Sequence, residues 1–320
     1  MNVAAGERKD RIRGAIVGAV VGDAFGGPLE GISPAEMSRR LAARCTTPSP
    51  WSYTDDGLMN IAVAESIVAT GTVDPEHLLG RFQAHYEPAR GFGRGMKIAL
   101  TAFATGTSWD RCAFAAWPEG SQGNGGAVRI TPVACAAWTS AEALDAAIAL
   151  ATRVTHTHRD ALSAARVHAH ALRIALETRP GELDAPTFLR TLGARVRGEA
   201  PWVEAALTKI GMLFARAEEP AEAARALGTS AFAKEAVPAA LWAFLASGES
   251  YEATVSTASR LGGDVDSICA MAGALAGARH GMDGIPSIWI RNLAHERPSI
   301  DDVKALCDRI GDITPSAPRG

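Results

Sequence analysis

Paired cysteines, excess charge, long apolar runs and strand-like alternation are all scarce in this sequence, and each scarcity removes a class of protein. The 5 cysteines (Cys45, Cys112, Cys135, Cys269 and Cys307) are odd in number and widely spaced, with no CxxC. A disulfide framework and a thiolate zinc site are therefore excluded, and the thiols read as reduced and cytosolic. Lys and Arg total 32 against 35 Asp and Glu, for a net charge of -3 and a pI near 6.3. That balance leaves no electrostatic footprint for nucleic acid or an anionic membrane. The apolar run from Ala15 to Val21 is too short to span a bilayer, and the polar stretch Met1 to Asp10 is not a signal peptide. Alternating apolar and polar residues are nearly absent, as are internal repeats, low-complexity blocks and interdomain linkers. The expectation is a cytoplasmic protein.

What remains is alanine-rich and helical. Hydrophobic residues make up 47% of the 320 positions, enough for a large core. A first helix runs from Glu7 to about Asp23, with Ile12, Ile16, Val17, Val20 and Val21 on its buried stripe. Gly14, Gly18 and Gly22 recur every fourth residue and give that helix a smooth side for close packing. Ser33 is placed as the cap of a helix from Pro34 to Ala43, with Glu36 in the capping-box position. Further helices are expected at 55–70, 75–86, 96–103, 128–138, 141–152, 159–177, 186–197, 202–216, 220–226, 235–247, 251–260, 265–280 and 299–309, with glycine loops at 87–95 and 120–126. The fold class is all-α: one compact multi-helix domain over 1–313, not an up-down bundle, followed by a frayed tail at 314–320.

Two acidic clusters carry the chemistry. Gly262-Gly263-Asp264-Val265-Asp266-Ser267 sets two carboxylates and a hydroxyl at the mouth of an Ala/Gly-rich helix. Ser52-Tyr53-Thr54-Asp55-Asp56-Gly57 repeats the combination far earlier in the chain. Either cluster alone fits a helix N-cap with acids in the first turn. Both lack a neighbouring Lys or Arg, and four converging carboxylates would repel one another without a cation between them. Oxygen-only donors favour Mg²⁺, Mn²⁺ or Ca²⁺ over Zn²⁺. Two such ions can share a bridging carboxylate. Glu30, in the loop Gly26-Gly27-Pro28-Leu29-Glu30-Gly31, is either a surface residue or, beside a metal, a general acid/base or gating carboxylate.

Two glycine loops precede helices: Gly91-Phe92-Gly93-Arg94-Gly95 and Gly123-Asn124-Gly125-Gly126-Ala127-Val128-Arg129. Bare backbone N–H groups backed by a helix dipole suit a phosphate, and ordinary turns explain the same residues. Neither loop is a P-loop or a dinucleotide fingerprint, since no strand precedes it and the P-loop Lys is missing. His156, in Thr155-His156-Thr157-His158, is either a capping residue or a contact to a ligand's phosphate or base.

Taken in order, Gly22-Asp23-Ala24-Phe25-Gly26-Gly27-Pro28-Leu29-Glu30-Gly31, Thr54-Asp55-Asp56, Arg90-Gly91-Phe92-Gly93, Gly123 to Arg129, Thr155-His156 and Gly262 to Ser267 resemble the ADP-ribosylglycohydrolases. The resemblance covers residues 12 to 293. It implies an all-α domain with two Mg²⁺, or Mn²⁺, at the base of a cleft. Thr54, Asp55, Asp56, Asp264, Asp266 and Ser267 match the metal ligands, with Asp266 as the bridge. Gly91, Phe92, Gly93, Gly123, Asn124, Gly125 and Gly126 would wrap the ADP-ribose, and His156 would contact the nucleotide. Glu30, Asp55 and Asp56 are the candidate catalytic carboxylates. Gly57 stands where the family usually has Thr, Phe92 where it has Tyr, and Val265 and Ser267 where it has Thr. The implied activity is hydrolysis of an ADP-ribosyl glycosidic bond. A binding protein without turnover and a two-metal phosphohydrolase are the competing readings.

Overall fold

The computed structural model describes residues 5–32, 34–178, 182 and 184–316. The chain opens with α1 (Ala5–Gly26), α2 (Pro34–Thr46), α3 (Asp55–Thr70), α4 (Pro75–Ala84), α5 (Arg94–Ala104) and α6 (Trp109–Cys112). The middle holds α7 (Gly125–Val128), α8 (Thr131–Cys135), α9 (Ala141–Arg153), α10 (Arg159–Glu177), α11 (Ala185–Arg195) and α12 (Pro201–Ala215). The last third holds α13 (Pro220–Leu227), α14 (Ala233–Ala246), α15 (Tyr251–Arg260), α16 (Val265–His280), α17 (Ser287–Asn292) and α18 (Ile300–Asp312). No strand occurs among the described residues; an isolated antiparallel bridge joins Gly123 to Phe232. The result is one all-α, many-helix domain, as the composition implies.

Its centre is the antiparallel pair α1 and α16. A Cβ added at Gly14 would strike the carbonyl of Gly277, one at Gly18 would lie 2.6 Å from that of Gly273, and one at Gly22 would strike that of Cys269. One turn further, a Cβ at Gly26 would lie 2.6 Å from the Val265 carbonyl and 2.7 Å from Asp266 Cα. The four-residue glycine spacing is thus a groove that lets two backbones touch. Its last step docks the end of α1 onto the mouth of α16, where Asp266 sits. By length and composition the stretch Gly6–Leu29 is apolar enough to cross a bilayer, which the shorter run 15–21 did not reveal. In this fold Ile12, Ile16, Val17, Val20 and Val21 are all fully buried in the protein core.

Helix starts follow local side-chain chemistry. Thr54, Asp74, Ser140, Asp184, Ser250 and Ser299 cap α3, α4, α9, α11, α15 and α18, and Ser299 with Asp302 forms a full capping box. The cap placed at Ser33 lies outside the described residues. The single helix expected at 128–138 is two short ones, because Pro132 cannot continue the first and instead opens the second. Residues 314–316 do not fray from the body: Ser316 N donates to Gly71 O at 3.0 Å. Residues 317–320 lie outside the described set.

Candidate active site

The four motifs converge on one cavity of about 800 Å³. Its lining includes Glu30, Thr54, Asp55, Asp56, Gly91, Gly93, Gly123, Asn124, Gly125, His156, Asp264, Asp266 and Ser267. Two of the expected substrate residues are elsewhere. Phe92 packs on Tyr86 with ring centroids 5.0 Å apart. Gly126 is buried under the loop, where a Cβ would come within 2.6 Å of Thr152 Cγ2. Its glycine serves packing.

At the base, carboxylates outnumber every partner. Oxygens of Glu30, Asp264 and Asp266 lie within 4.8 Å of one another. Ser267 Oγ donates to Asp56 Oδ2 at 2.6 Å, so the two acidic clusters touch. Asp264, although it precedes α16, makes no capping hydrogen bond. Its carboxylate accepts instead from the Asn124 side-chain amide. Asn124 therefore ties the second glycine loop to the acidic base, a role its sequence context did not show. Thr54 does cap α3, accepting from Asp56 N at 3.3 Å.

Beneath this layer lies Asp23, which is wholly buried and was not singled out from sequence. It accepts from Thr54 N and Thr54 Oγ1, both at 2.7 Å, and from Gly57 N at 2.9 Å. The signal was available: a lone carboxylate in the otherwise apolar second half of α1 needs a partner. The Thr54 hydroxyl proton is spent on Asp23 and one lone pair on Asp56 N, which leaves one lone pair on the oxygen.

No Lys or Arg pairs with any of these six acids among the described residues. Burial and mutual repulsion push Asp55 up to about 7 and Asp264 and Asp266 up to about 6. Asp23 and Asp56 rise well above the carboxylate range for the same two reasons, burial first. Burial, then Asp264, raises Glu30. A cluster of carboxyl and hydroxyl oxygens starved of positive charge fits a hard divalent cation.

The walls suit an anion. α5 starts at Arg94 after its cap Gly93, and Gly93, Arg94, Gly95 and Met96 all border the cavity, so the N-terminal dipole lies at its wall. Gly91 takes φ +99°, a left-handed conformation that favours glycine. Arg90 fastens the loop, donating to Tyr53 O at 2.9 Å and Glu296 Oε2 at 2.8 Å. Across the cavity, a Cβ at Gly123 would lie 3.3 Å from His156 Nε2, and one at Gly125 would lie 3.1 Å from His156 Cε1. These glycines make room for the imidazole. Trp117, 47% exposed, forms part of the wall and carries no sequence signal that marks it.

The profile of the ADP-ribosylglycohydrolase family matches residues 4–318. The chain belongs to that family. It is 30% identical to human ADP-ribosylhydrolase ARH3 over 325 residues, spanning 87% of this chain and 88% of that protein. It is 27% identical to the ADP-ribosylarginine hydrolase Tri1 of Pseudomonas putida, spanning 95% of this chain and 80% of that one. A solved ADP-ribosylglycohydrolase-related protein complex contains a chain that superposes with a TM-score of 0.74 at 28% identity, covering 97% of this chain and 99% of that one. As an ADP-ribosylglycohydrolase, the chain departs at Gly57 for a visible reason. A Cβ there would lie 2.8 Å from Asp23 Oδ2 and 2.9 Å from Tyr53 Cβ.

Proposed function

We propose that the protein hydrolyses the glycosidic bond joining ADP-ribose to an acceptor, using two Mg²⁺, with Mn²⁺ as the alternative, and releasing ADP-ribose. The observation that carries this reading is the cation-free acidic base, Asp55, Asp56, Asp264, Asp266 and Glu30, beneath glycine loops and a helix N-terminus suited to a diphosphate. Family relatives named for ADP-ribosyl and ADP-ribosylarginine hydrolysis support it.

Thr54, Asp55, Asp56, Asp264, Asp266 and Ser267 would hold the metal. When bound, the metal would fix the vicinal hydroxyls of the ribose and polarise a water. The chain supplies the rest. Asn124 holds Asp264 in place, and Asp23 holds Thr54. The end of α5 and Arg94 steady the diphosphate, and Trp117 offers a face to a flat group. The bond breaks through an oxocarbenium-like state, so a carboxylate that takes a proton from the attacking water must return one to the leaving acceptor atom. Asp56 is occupied by the Ser267 hydroxyl. Glu30 sits exposed on its loop with its oxygens beside Asp264 and Asp266, so it is the base we assign. Asp55, which the Ser267 hydroxyl leaves free, then remains a ligand.

The test is a panel of substrates carrying ADP-ribose on arginine, on serine, on a nucleic-acid base or as the O-acetyl ester, each incubated with and without Mg²⁺. ADP-ribose released from at least one, only with metal, is the expected result. AMP as product would replace this reading with a phosphohydrolase, and binding without release would replace it with a binding protein. Glu30→Gln should lower kcat on the order of 100-fold while Mg²⁺ still raises Tm. Asp264→Ala should lose both.

A further inference from the structure

Arg129 is a fully buried guanidinium that pairs with no carboxylate among the described residues. It stacks over Phe82, donates to Ala151 O at 3.1 Å, and donates to Thr155 Oγ1 at 2.6 Å. Thr155 Oγ1 lies 2.7 Å from His156 Nδ1. His156 then presents its other nitrogen beneath the second glycine loop, 3.3 Å from where a Gly123 Cβ would stand, in the wall of the cavity.

Counting protons assigns this chain of bonds. A guanidinium has donors and no acceptor, so Thr155 Oγ1 must accept from Arg129. The Thr155 hydroxyl has one proton of its own. The acceptor in reach of it among the described residues is His156 Nδ1. A buried hydroxyl that withheld its proton would lose a hydrogen bond that nothing replaces. We infer that Arg129, acting through Thr155, is a positioning residue that locks His156 as the neutral tautomer with Nδ1 accepting and Nε2–H donating into the cavity.

This has a chemical consequence. His156 is then a fixed hydrogen-bond donor to an oxygen of the bound ligand, and it neither takes nor gives a proton during turnover. Burial, with Arg129 second, pushes its pKa down to about 3, which agrees with a ring that stays neutral. The second glycine loop is glycine-rich to seat this ring. Naming the ligand oxygen as part of ADP-ribose rests on the functional reading above; the tautomer does not.

The experiment is ¹⁵N-histidine NMR on the whole protein at neutral pH, with His156 assigned by its absence in His156→Gln. The expected spectrum shows His156 as a neutral ring with Nε2 protonated. A ring protonated at Nδ1, or an imidazolium, overturns the inference. Thr155→Val keeps the shape and removes the hydroxyl, so it should mix the tautomers and weaken ADP-ribose binding about tenfold by calorimetry. Thr155→Ser restores the hydroxyl and should restore both. A folded Thr155→Val protein with the wild-type tautomer overturns the inference too. If wild-type protein fails to bind ADP-ribose, the functional reading falls, and the tautomer in the same sample still decides this one.

Discussion

Asp23 shows how one residue can be decisive and still be passed over in a sequence. It lies in the run Gly22-Asp23-Ala24-Phe25, but nothing in that run says which backbone it will meet. The structure supplies the reason: two amides and one hydroxyl from the Thr54–Gly57 turn converge on it. Asp23→Ala would strand those donors in a buried site at about 1–3 kcal/mol each. We expect a total loss of roughly 3–5 kcal/mol in urea unfolding, together with loss of the Mg²⁺-induced rise in Tm. A loss under about 1 kcal/mol would show that other groups satisfy the turn. Gly57 belongs to the same account. Gly57→Thr, which restores the usual family residue, should destabilise the protein by about 1–3 kcal/mol, because Asp23 and Tyr53 already fill the space. The ligand-type carboxylates were legible because two such clusters occur, neither with a Lys or Arg beside it, whereas one alone reads as an N-cap with first-turn acids. The positioning roles of Asn124 and Thr155 were not, because their partners Asp264 and Arg129 are distant in the chain.

At the scale of elements, the glycines of α1 were legible as a smooth face, since a four-residue spacing puts them on one side of a helix. Their partner was not, because period reports a face and not what covers it. The structure pairs them with Gly273 and Gly277 on α16 and carries the register on to Gly26 and Asp266. The packing therefore sets the distance between the Glu30 loop and the second acidic cluster. Gly18→Ala should force the two backbones apart, lower stability by about 2–3 kcal/mol, and reduce hydrolysis by more than the stability loss alone explains. Gly80→Ala is the control. Gly80 lies inside α4 with nothing within 4 Å of an added Cβ, so the change should stabilise by about 0.5–1 kcal/mol. Equal stabilisation by both would show that helix propensity, and not close packing, governs these sites. The breaks that sequence reading missed have local causes. Pro132 divides α7 from α8, and α6 and α17 are too short to show a period.

For the molecule as a whole, the acidic base makes stability depend on both pH and metal, and the sign can be worked out. Without metal, Asp55 titrates near 7 and Asp264 and Asp266 near 6, all above their ordinary value of 3.8. Between about pH 4 and 7 the folded protein therefore holds protons that the unfolded chain releases, and stability falls as pH rises through that window. His156, in the cavity wall, and His168, in the core, both pushed down to about 3, act with the opposite sign. Their contribution is complete above the ordinary histidine value of 6.5 and is lost as pH falls below it. The two effects overlap in a simple melt, but the difference between melts with and without Mg²⁺ isolates the carboxylates, because the histidines contribute to both arms. Bound Mg²⁺ needs its ligands deprotonated, so protons must leave as it enters. The Mg²⁺-induced rise in Tm should be near zero at pH 5, grow through pH 6 and 7, and level off by about pH 8. At a metal concentration roughly 100 times Kd the plateau corresponds to about 2.7 kcal/mol, or on the order of 4 °C for a chain of this size. A shift that is flat across this range, or largest at pH 5, would place the metal somewhere other than this cluster.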